Sequence, residues 1–322
     1  MRRMGLLPSN QKAGINMTWE GVEMIRVAAN GIHFEVVTMG AGDKLALCLH
    51  GFPEHAYSWR NQMPLLAKLG YRVWAPNLRG YGGTDSPREI SAYRTSTLVA
   101  DVAALIKSSG AKETLLIAHD WGGALAWILT MRQPDLIDRL VVMNLPHPAC
   151  FARELGRPRQ LLRSWYMFFF QIPWLPEFLL GRDDAQAIGD MFRRTSRRRP
   201  PIPEAAIDVY RQNAMRPGGL TAMLNWYRAF FRSRKSLHSR KEPPGSARFP
   251  VIHTPTLFLW GDADIALDFR TTQGTEAYVS DLTFRVLPGI SHWVQQEAPQ
   301  AVNAMLQAWL TGARVPEYRE LV

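Results

Sequence analysis

Apolar residues in the first 145 positions fall into two alternating rhythms. Short runs at 45–49, 72–75, 114–117 and 140–143 carry little polar alternation, the pattern of strands buried on both faces. Between them, 58–69, 96–108 and 121–133 place apolar residues at helical spacing. Ahead of these, apolar runs at 24–27 and 32–38 flank Asn30-Gly31, a two-residue hairpin signal. The rhythm returns after a gap, with strands expected at 256–260 and 282–287 and a closing helix at 299–310. Alternation of this kind predicts an α/β chain with a mostly parallel central sheet flanked by helices.

The gap itself has a different character. Residues 148–249 show helical runs but no convincing strand, and are punctuated by Pro173, Pro176, Pro200, Pro201, Pro203, Pro217, Pro243 and Pro244. An inserted helical lid is the simplest reading. The expected division is 1–147 for the first half of the core, 148–249 for the lid and 250–322 for the second half. At 322 residues and 47% hydrophobic content, the chain is long enough for one large core with such an insertion. No internal repeat of fixed period is present.

Charge changes this picture only locally. The net charge is +10, and the segment 151–245 alone holds 18 Lys and Arg against 8 Asp and Glu, so the rest of the chain is neutral. Arg193, Arg194, Arg197, Arg198 and Arg199 form one cluster, and Arg232, Arg234, Lys235, Arg240 and Lys241 another. A basic patch attracts phosphates or an anionic surface, but neither cluster comes with a nucleic-acid motif, and solvated faces are the commoner origin of such runs. No nucleic-acid partner is expected, and peripheral membrane contact through the basic lid is the weaker option. No apolar run is long enough to span a bilayer, and Arg2 and Arg3 are not followed by a signal-type apolar stretch. Cys48 and Cys150 lie in or beside apolar runs, as small buried thiols do, and point to a reducing, cytoplasmic setting.

Four short motifs carry the chemistry. His50-Gly51-Phe52-Pro53 follows the strand at 45–49, and its glycine turn can aim backbone N–H groups into a pocket. Ala118-His119-Asp120-Trp121-Gly122 joins the strand at 114–117 to the helix at 121–133, which makes Asp120 the apex of a small-x-nucleophile-x-small elbow. Gly261-Asp262-Ala263-Asp264 and Ser291-His292-Trp293 follow the two later strands. Each alone has a plainer explanation: Asp120 as a helix cap, His292 as a core histidine. Together they stand at strand carboxyl ends in the order nucleophile, acid, histidine, which is the order of the α/β-hydrolase triad. A carboxylate at the apex would form an alkyl ester, so the substrates indicated are epoxides and alkyl halides.

From about Val22 to Leu310, the chain resembles an epoxide hydrolase of the α/β-hydrolase superfamily. Two lid segments carry the resemblance further. Trp165-Tyr166-Met167-Phe168-Phe169-Phe170-Gln171 and Asn225-Trp226-Tyr227-Arg228 are similar to the family's two lid-tyrosine motifs, with the register of the first open within its aromatic run. The resemblance implies that Tyr166 and Tyr227 hydrogen-bond the epoxide oxygen while Asp120 attacks carbon, and that His292, oriented by Asp264, activates the water that releases a vicinal diol. It further implies an oxyanion hole from the backbone N–H groups of Phe52 and Trp121, and a water-placing role for Glu54, which as a bare sequence feature reads as surface polar. No cofactor or metal is implied, and the partners are a small apolar epoxide and water, as suits detoxification.

Two alternatives stay open. A haloalkane dehalogenase would use the same Asp120, His292 and Asp264, with the Trp121 indole on the halide; Phe52 stands where many dehalogenases have an asparagine. A non-catalytic small-molecule receptor on the same fold would bind without turnover. Fluoroacetate dehalogenases carry arginines where this chain has Trp121, Gly122, Gly123 and Ala124. Which aromatic residues of the lid face a pocket, and the oligomeric state, are not legible in one chain.

Overall fold

The computed structural model describes residues 21–197, 202–233 and 244–322. Asn30 and Gly31 take positive φ, 46° and 76°, and between them the chain reverses, so that β1 (Glu23–Ala29) pairs antiparallel with β2 (Ile32–Met39). Six further strands follow: β3 (Lys44–Leu49), β4 (Arg72–Pro76), β5 (Glu113–His119), β6 (Arg139–Met143), β7 (Thr256–Gly261) and β8 (Leu282–Leu287). They form one sheet in the order β1-β2-β4-β3-β5-β6-β7-β8, parallel from β4 onward. All eight expected strands are present.

The central strands are buried on both faces. In β3, Leu45, Leu47 and Leu49 enter one apolar cluster while Ala46 and Cys48 enter the other, which is the two-residue period of a strand between two helix layers. Burying each such leucine contributes on the order of 2 kcal/mol. The helix expected over 58–69 is instead a 3-10 turn, Ala56–Trp59, followed by a short α1 (Met63–Lys68). Pro64 is the reason: it has no N–H to donate and is tolerated only in a helix's first turn, so the helix restarts there. The other three core helices, α2 (Thr95–Ser109), α3 (Trp121–Arg132) and, at the end of the chain, Pro299–Leu310, stand where expected.

Between β6 and β7 the described residues form helices and no named strand: α4 (Pro148–Leu155), α5 (Pro158–Arg163), α6 (Trp165–Phe169), α7 (Leu175–Thr195), α8 (Glu204–Met215) and α9 (Gly219–Arg232). α7 is broken at Arg182–Ala185, where Asp183, Asp184 and Ala185 take positive φ. α10 (Val294–Glu297) then precedes the closing α11 (Pro299–Leu310). Cys48 and Cys150 are both buried, Cys150 within α4. In the first basic cluster, Arg193 pairs with Glu204 and Asp190, and Arg194 with Asp190. Arg198, Arg199, Arg234, Lys235, Arg240 and Lys241 lie outside the described residues. No helix among the described residues is long and apolar enough to cross a membrane.

The strand order reverses at β3. From β3 the chain steps outward to β4 and then crosses to β5 on the other side, and a crevice opens at the carboxyl ends of strands where such a reversal occurs. The loops after β3 and β5 carry Phe52 and Asp120.

Candidate active site

Asp120 sits at φ 49°, ψ −124°, a conformation side chains rarely adopt, between the end of β5 and the start of α3. Two glycines make room for it. A Cβ on Gly51 would fall on the Asp120 side chain, and one on Gly122 would fall on the Leu49 carbonyl. Leu49 and Ala118 are paired in register, so the turns after β3 and β5 meet, and the Phe52 N–H donates to Asp120 Oδ1 at 2.8 Å. Trp121 is the first residue of α3, and its N–H belongs to the helix-end donors that have no partner within the helix.

His292 and Asp264 close around the second oxygen. His292 Nε2 lies 3.5 Å from Asp120 Oδ2, and its Nδ1 donates to Asp264 Oδ2 at 2.6 Å. Asp264 is held in turn by the Ala266 and Leu267 N–H groups on Oδ1 and by Asn144 Nδ2 on Oδ2, at 2.8, 3.0 and 2.8 Å. Burial opposes the charge on both carboxylates. Nevertheless His292, through hydrogen bond and charge, holds Asp120 and Asp264 below the ordinary carboxylate value, helped at Asp120 by His119 and the Phe52 N–H. Burial likewise opposes a charged His292, and the two aspartates outweigh it, raising its pKa well above the usual value. The triad named from sequence is therefore one contiguous group.

Beneath it lies a polar cluster of which sequence reasoning names only Glu54. Glu54 is fully buried, so its reading as a surface group is wrong: a carboxylate can be this enclosed because donors surround it. Its Oε2 accepts from the Gly51 N–H at 3.0 Å and faces His119 Nδ1 at 2.8 Å; its Oε1 accepts from Gln295 and Gln296 at 2.9 and 2.8 Å. His119 Nε2 faces the His292 carbonyl oxygen at 2.8 Å. A carbonyl can only accept, so Nε2 carries a proton and donates it; a second proton is held between Nδ1 and Glu54. Asn144 was findable: it follows β6 as Phe52 and Asp120 follow β3 and β5. His119, Gln295 and Gln296 carry no sequence signal beyond proximity to the motifs.

Both tyrosines reach the same cavity. It has a volume of about 710 Å³, and Asp120, Trp121, Tyr166, Tyr227 and Phe230 are among its lining residues. Tyr166 comes from α6 and Tyr227 from α9, with ring centroids 5.9 Å apart. The Tyr227 ring also packs edge-on against Trp121, Phe52 and Phe170, at 5.1, 5.3 and 5.0 Å. Burial, with the charge of Asp120 nearby, pushes both phenols above their ordinary pKa, so both stay protonated at neutral pH. The rest of the aromatic run divides: Trp165, Phe168 and Trp174 are exposed, while Phe170 and Trp226 are buried in the core.

Residues 46–299 match the model of the alpha/beta hydrolase fold family, in keeping with this sheet and site, and the chain belongs to that family. It is 36% identical to mouse epoxide hydrolase 4, over 89% of this chain and 78% of that protein, and 32% identical to epoxide hydrolase A of Mycobacterium tuberculosis, over 89% and 96%. It also superposes on the crystal structure of the Bacillus megaterium epoxide hydrolase in complex with an inhibitor, with a TM-score of 0.79 and 27% identity, over 89% of this chain and all of that one. Within the fold family, the chain is a member of the epoxide hydrolases.

Proposed function

We propose that this enzyme converts epoxides to vicinal diols through an ester on Asp120. The observation that carries the reading is the unequal treatment of the two Asp120 oxygens: Oδ1 is fixed by the Phe52 N–H, while Oδ2 lies near His292 in a carboxylate that lines the cavity shared with both tyrosines. Oδ2 attacks an epoxide carbon and the carbon–oxygen bond of the ring breaks. The departing oxygen takes a proton from one of the phenols Tyr166 and Tyr227 and a hydrogen bond from the other, leaving a phenolate and a hydroxyalkyl ester whose carbonyl oxygen is Oδ1. That oxygen already rests in the oxyanion hole.

Hydrolysis follows from the charges. Asp120 is one of two groups that raise the His292 pKa, and its charge vanishes when the ester forms. His292 then gives up its proton more readily, at the step where a neutral base is needed. Nε2 takes a proton from water as the water oxygen bonds to the Asp120 carboxyl carbon. The negative oxygen develops against the N–H groups of Phe52 and Trp121. Collapse expels the diol oxygen, which receives the proton from His292, and the second water proton, left on the Asp120 carboxyl group, returns to the phenolate. For Glu54 the assignment shifts from placing water to holding the loops: its two oxygens face four hydrogen-bonding groups, which fill the roughly four acceptor sites of a carboxylate, and those groups fix Gly51 and the segment after His292.

The leaving-group side favours an epoxide over a halide. Phe52 offers a ring packed on Phe170 and Tyr227, with no side-chain donor for a halide, whereas two phenols line the cavity with the nucleophile. One turnover in oxygen-18 water tests the two-step path. The label is expected in Asp120 and absent from the first diol; label in that diol, with none in the protein, would sink the mechanism.

A further inference from the structure

The outer side of α5 and α6 has the opposite polarity from the one water calls for. Backbone bonds from Ser164 to Gln160, Met167 to Ser164 and Phe170 to Tyr166 carry the helical winding of α5 on into α6. Along this run the buried stripe begins with two polar residues, Gln160 and Ser164, while Leu161, Leu162, Trp165 and Phe168 stand in solvent. A helix packed on a core shows the reverse pattern. The inward polar groups fix the orientation: Gln160 Nε2 donates to Ser164 Oγ at 2.9 Å and to the Ala266 carbonyl oxygen at 3.0 Å, and Gln160 Oε1 accepts from the Asp268 N–H at 2.8 Å. Arg163 adds hydrogen bonds to the carbonyl oxygens of Asp264 and Leu267.

Neighbouring segments extend the same face. Ile172, Trp174, Phe178 and Leu179 are exposed on the turn into α7 and at its start, and Ile265 and Phe269 on the loop that Gln160 and Arg163 hold. Ten of the thirteen large apolar side chains exposed among the described residues thus fall in two segments, 161–179 and 265–269. Exposed apolar residues scattered singly need no explanation, whereas a group of this kind marks an interaction surface. Trp165 and Trp174, 63% and 72% exposed, are of the residue type that settles at the boundary between hydrocarbon and water.

Charge names the occupant. At the α5 end, Arg153, Arg157, Arg159 and Arg270 are exposed, while the carboxylates among them, Glu154 and Asp268, are buried and paired with arginines. Solvent there meets guanidinium groups. At the other end Arg182 lies over the Phe178 ring at 5.7 Å and is offset by the exposed Asp183 and Asp184, and Glu177 is paired with Arg228. A second copy docked through this face about a two-fold axis would place two sets of the α5 arginines in one interface, whereas an anionic surface meets them with opposite charge. We propose that this face docks on an anionic lipid bilayer, with its tryptophans, phenylalanines and leucines in the interfacial layer and the arginines of the α5 end against the headgroups. Tyr166 and Met167, on the inner side of α6, line the cavity. Docking therefore sets α6 between a reservoir of apolar molecules and the site. It does not depend on which bond Asp120 attacks.

Flotation of the full chain with lipid vesicles tests it, using phosphatidylcholine alone and phosphatidylcholine with about one-third phosphatidylglycerol. At low salt the protein is expected to float with the mixed vesicles, with a partition coefficient about ten-fold or more above that for phosphatidylcholine. About 1 M sodium chloride should remove most of that difference by screening. Arg157→Gln and Arg270→Gln should each lower the partition coefficient on mixed vesicles about five-fold, the effect of one basic side chain near anionic headgroups. Leu162→Glu combined with Trp174→Glu should abolish flotation and leave the thermal midpoint at the wild-type value, because both side chains are exposed. Wild-type protein that stays at the bottom of the gradient with mixed vesicles overturns the proposal. So does equal flotation with both lipids, or undiminished flotation of the double glutamate variant. Dimerisation in sedimentation velocity that this variant abolishes, without flotation of the wild type, overturns it in favour of a second copy. If the double glutamate variant is unstable, the two arginine variants and the salt series decide: flotation that neither of them weakens overturns the proposal.

Discussion

In the proposed cycle, one proton at Asp120 and His292 decides which half is slow. His292 and the Phe52 N–H hold the Asp120 pKa low, so alkylation by the proposed nucleophile is expected to continue into mildly acidic solution. Hydrolysis of the ester needs a neutral imidazole, and acid works against that. The ester is therefore expected to accumulate more at pH 5 than at pH 8 in rapid-quench experiments; the reverse order would remove His292 from the hydrolytic step. Replacing the ring takes the same logic to its limit. His292→Gln should trap the ester, visible as a mass increase equal to that of the substrate, and in that background Tyr166→Phe or Tyr227→Phe should slow its appearance, both together by about 100-fold, as for lost acid catalysis. Normal ester formation in the triple variant would return both phenols to a packing role.

At the scale of elements, the elbow depends on how closely β3, β5 and α3 approach. Gly122→Ala would set a methyl group against the Leu49 carbonyl, a backbone atom that cannot swing aside. A loss of about 2 kcal/mol of stability, as for overpacking, is expected from denaturant unfolding together with slower alkylation; a variant of wild-type stability and rate would show that the strands can part. The same elements show what a single chain reveals. Strands were legible because β3 and β5–β7 are covered on both faces and read as unbroken apolar runs, and the triad was legible because its members follow strands in a fixed order. Helix 58–69 misled because its apolar spacing was intact and only Pro64 spoke against it. The run 165–170 could not be resolved. Within it Trp165 and Phe168 face solvent, Tyr166 and Met167 line the cavity and Phe170 packs inside, an assignment set by neighbouring helices rather than by local pattern. Glu54 was misjudged because three of its partners, His119, Gln295 and Gln296, lie 65, 241 and 242 positions away in the chain.

For the whole molecule, buried neutral histidines set the response to acid. Burial pushes His50 down to about 4, His147 down to about 3, and His55 well below its ordinary value, whereas in the unfolded chain each titrates near 6.5. Between those values the unfolded chain binds protons that the folded one refuses, so the stability they contribute is complete above about pH 6.5 and is lost as pH falls toward 4 and 3. His292 acts in the opposite sense, its contribution being present below its unfolded value and lost as pH rises through its raised folded one, but it is one group against three. The thermal midpoint should thus begin to fall near pH 6.5; a fall beginning only below pH 5 would assign acid sensitivity to the carboxylates instead.

The sources of the site along the chain have a consequence for how such enzymes can change. Asp120, Asp264 and His292 come from the loops that follow β5, β7 and β8, while both phenols come from the stretch between β6 and β7. The proposed nucleophile and leaving-group partners are thus inherited on separate segments. Recombination that exchanged the interval after β6 could hand the same ester-forming machinery a different set of donors, and with it a different bond to break, while every residue that hydrolyses the ester stayed in place.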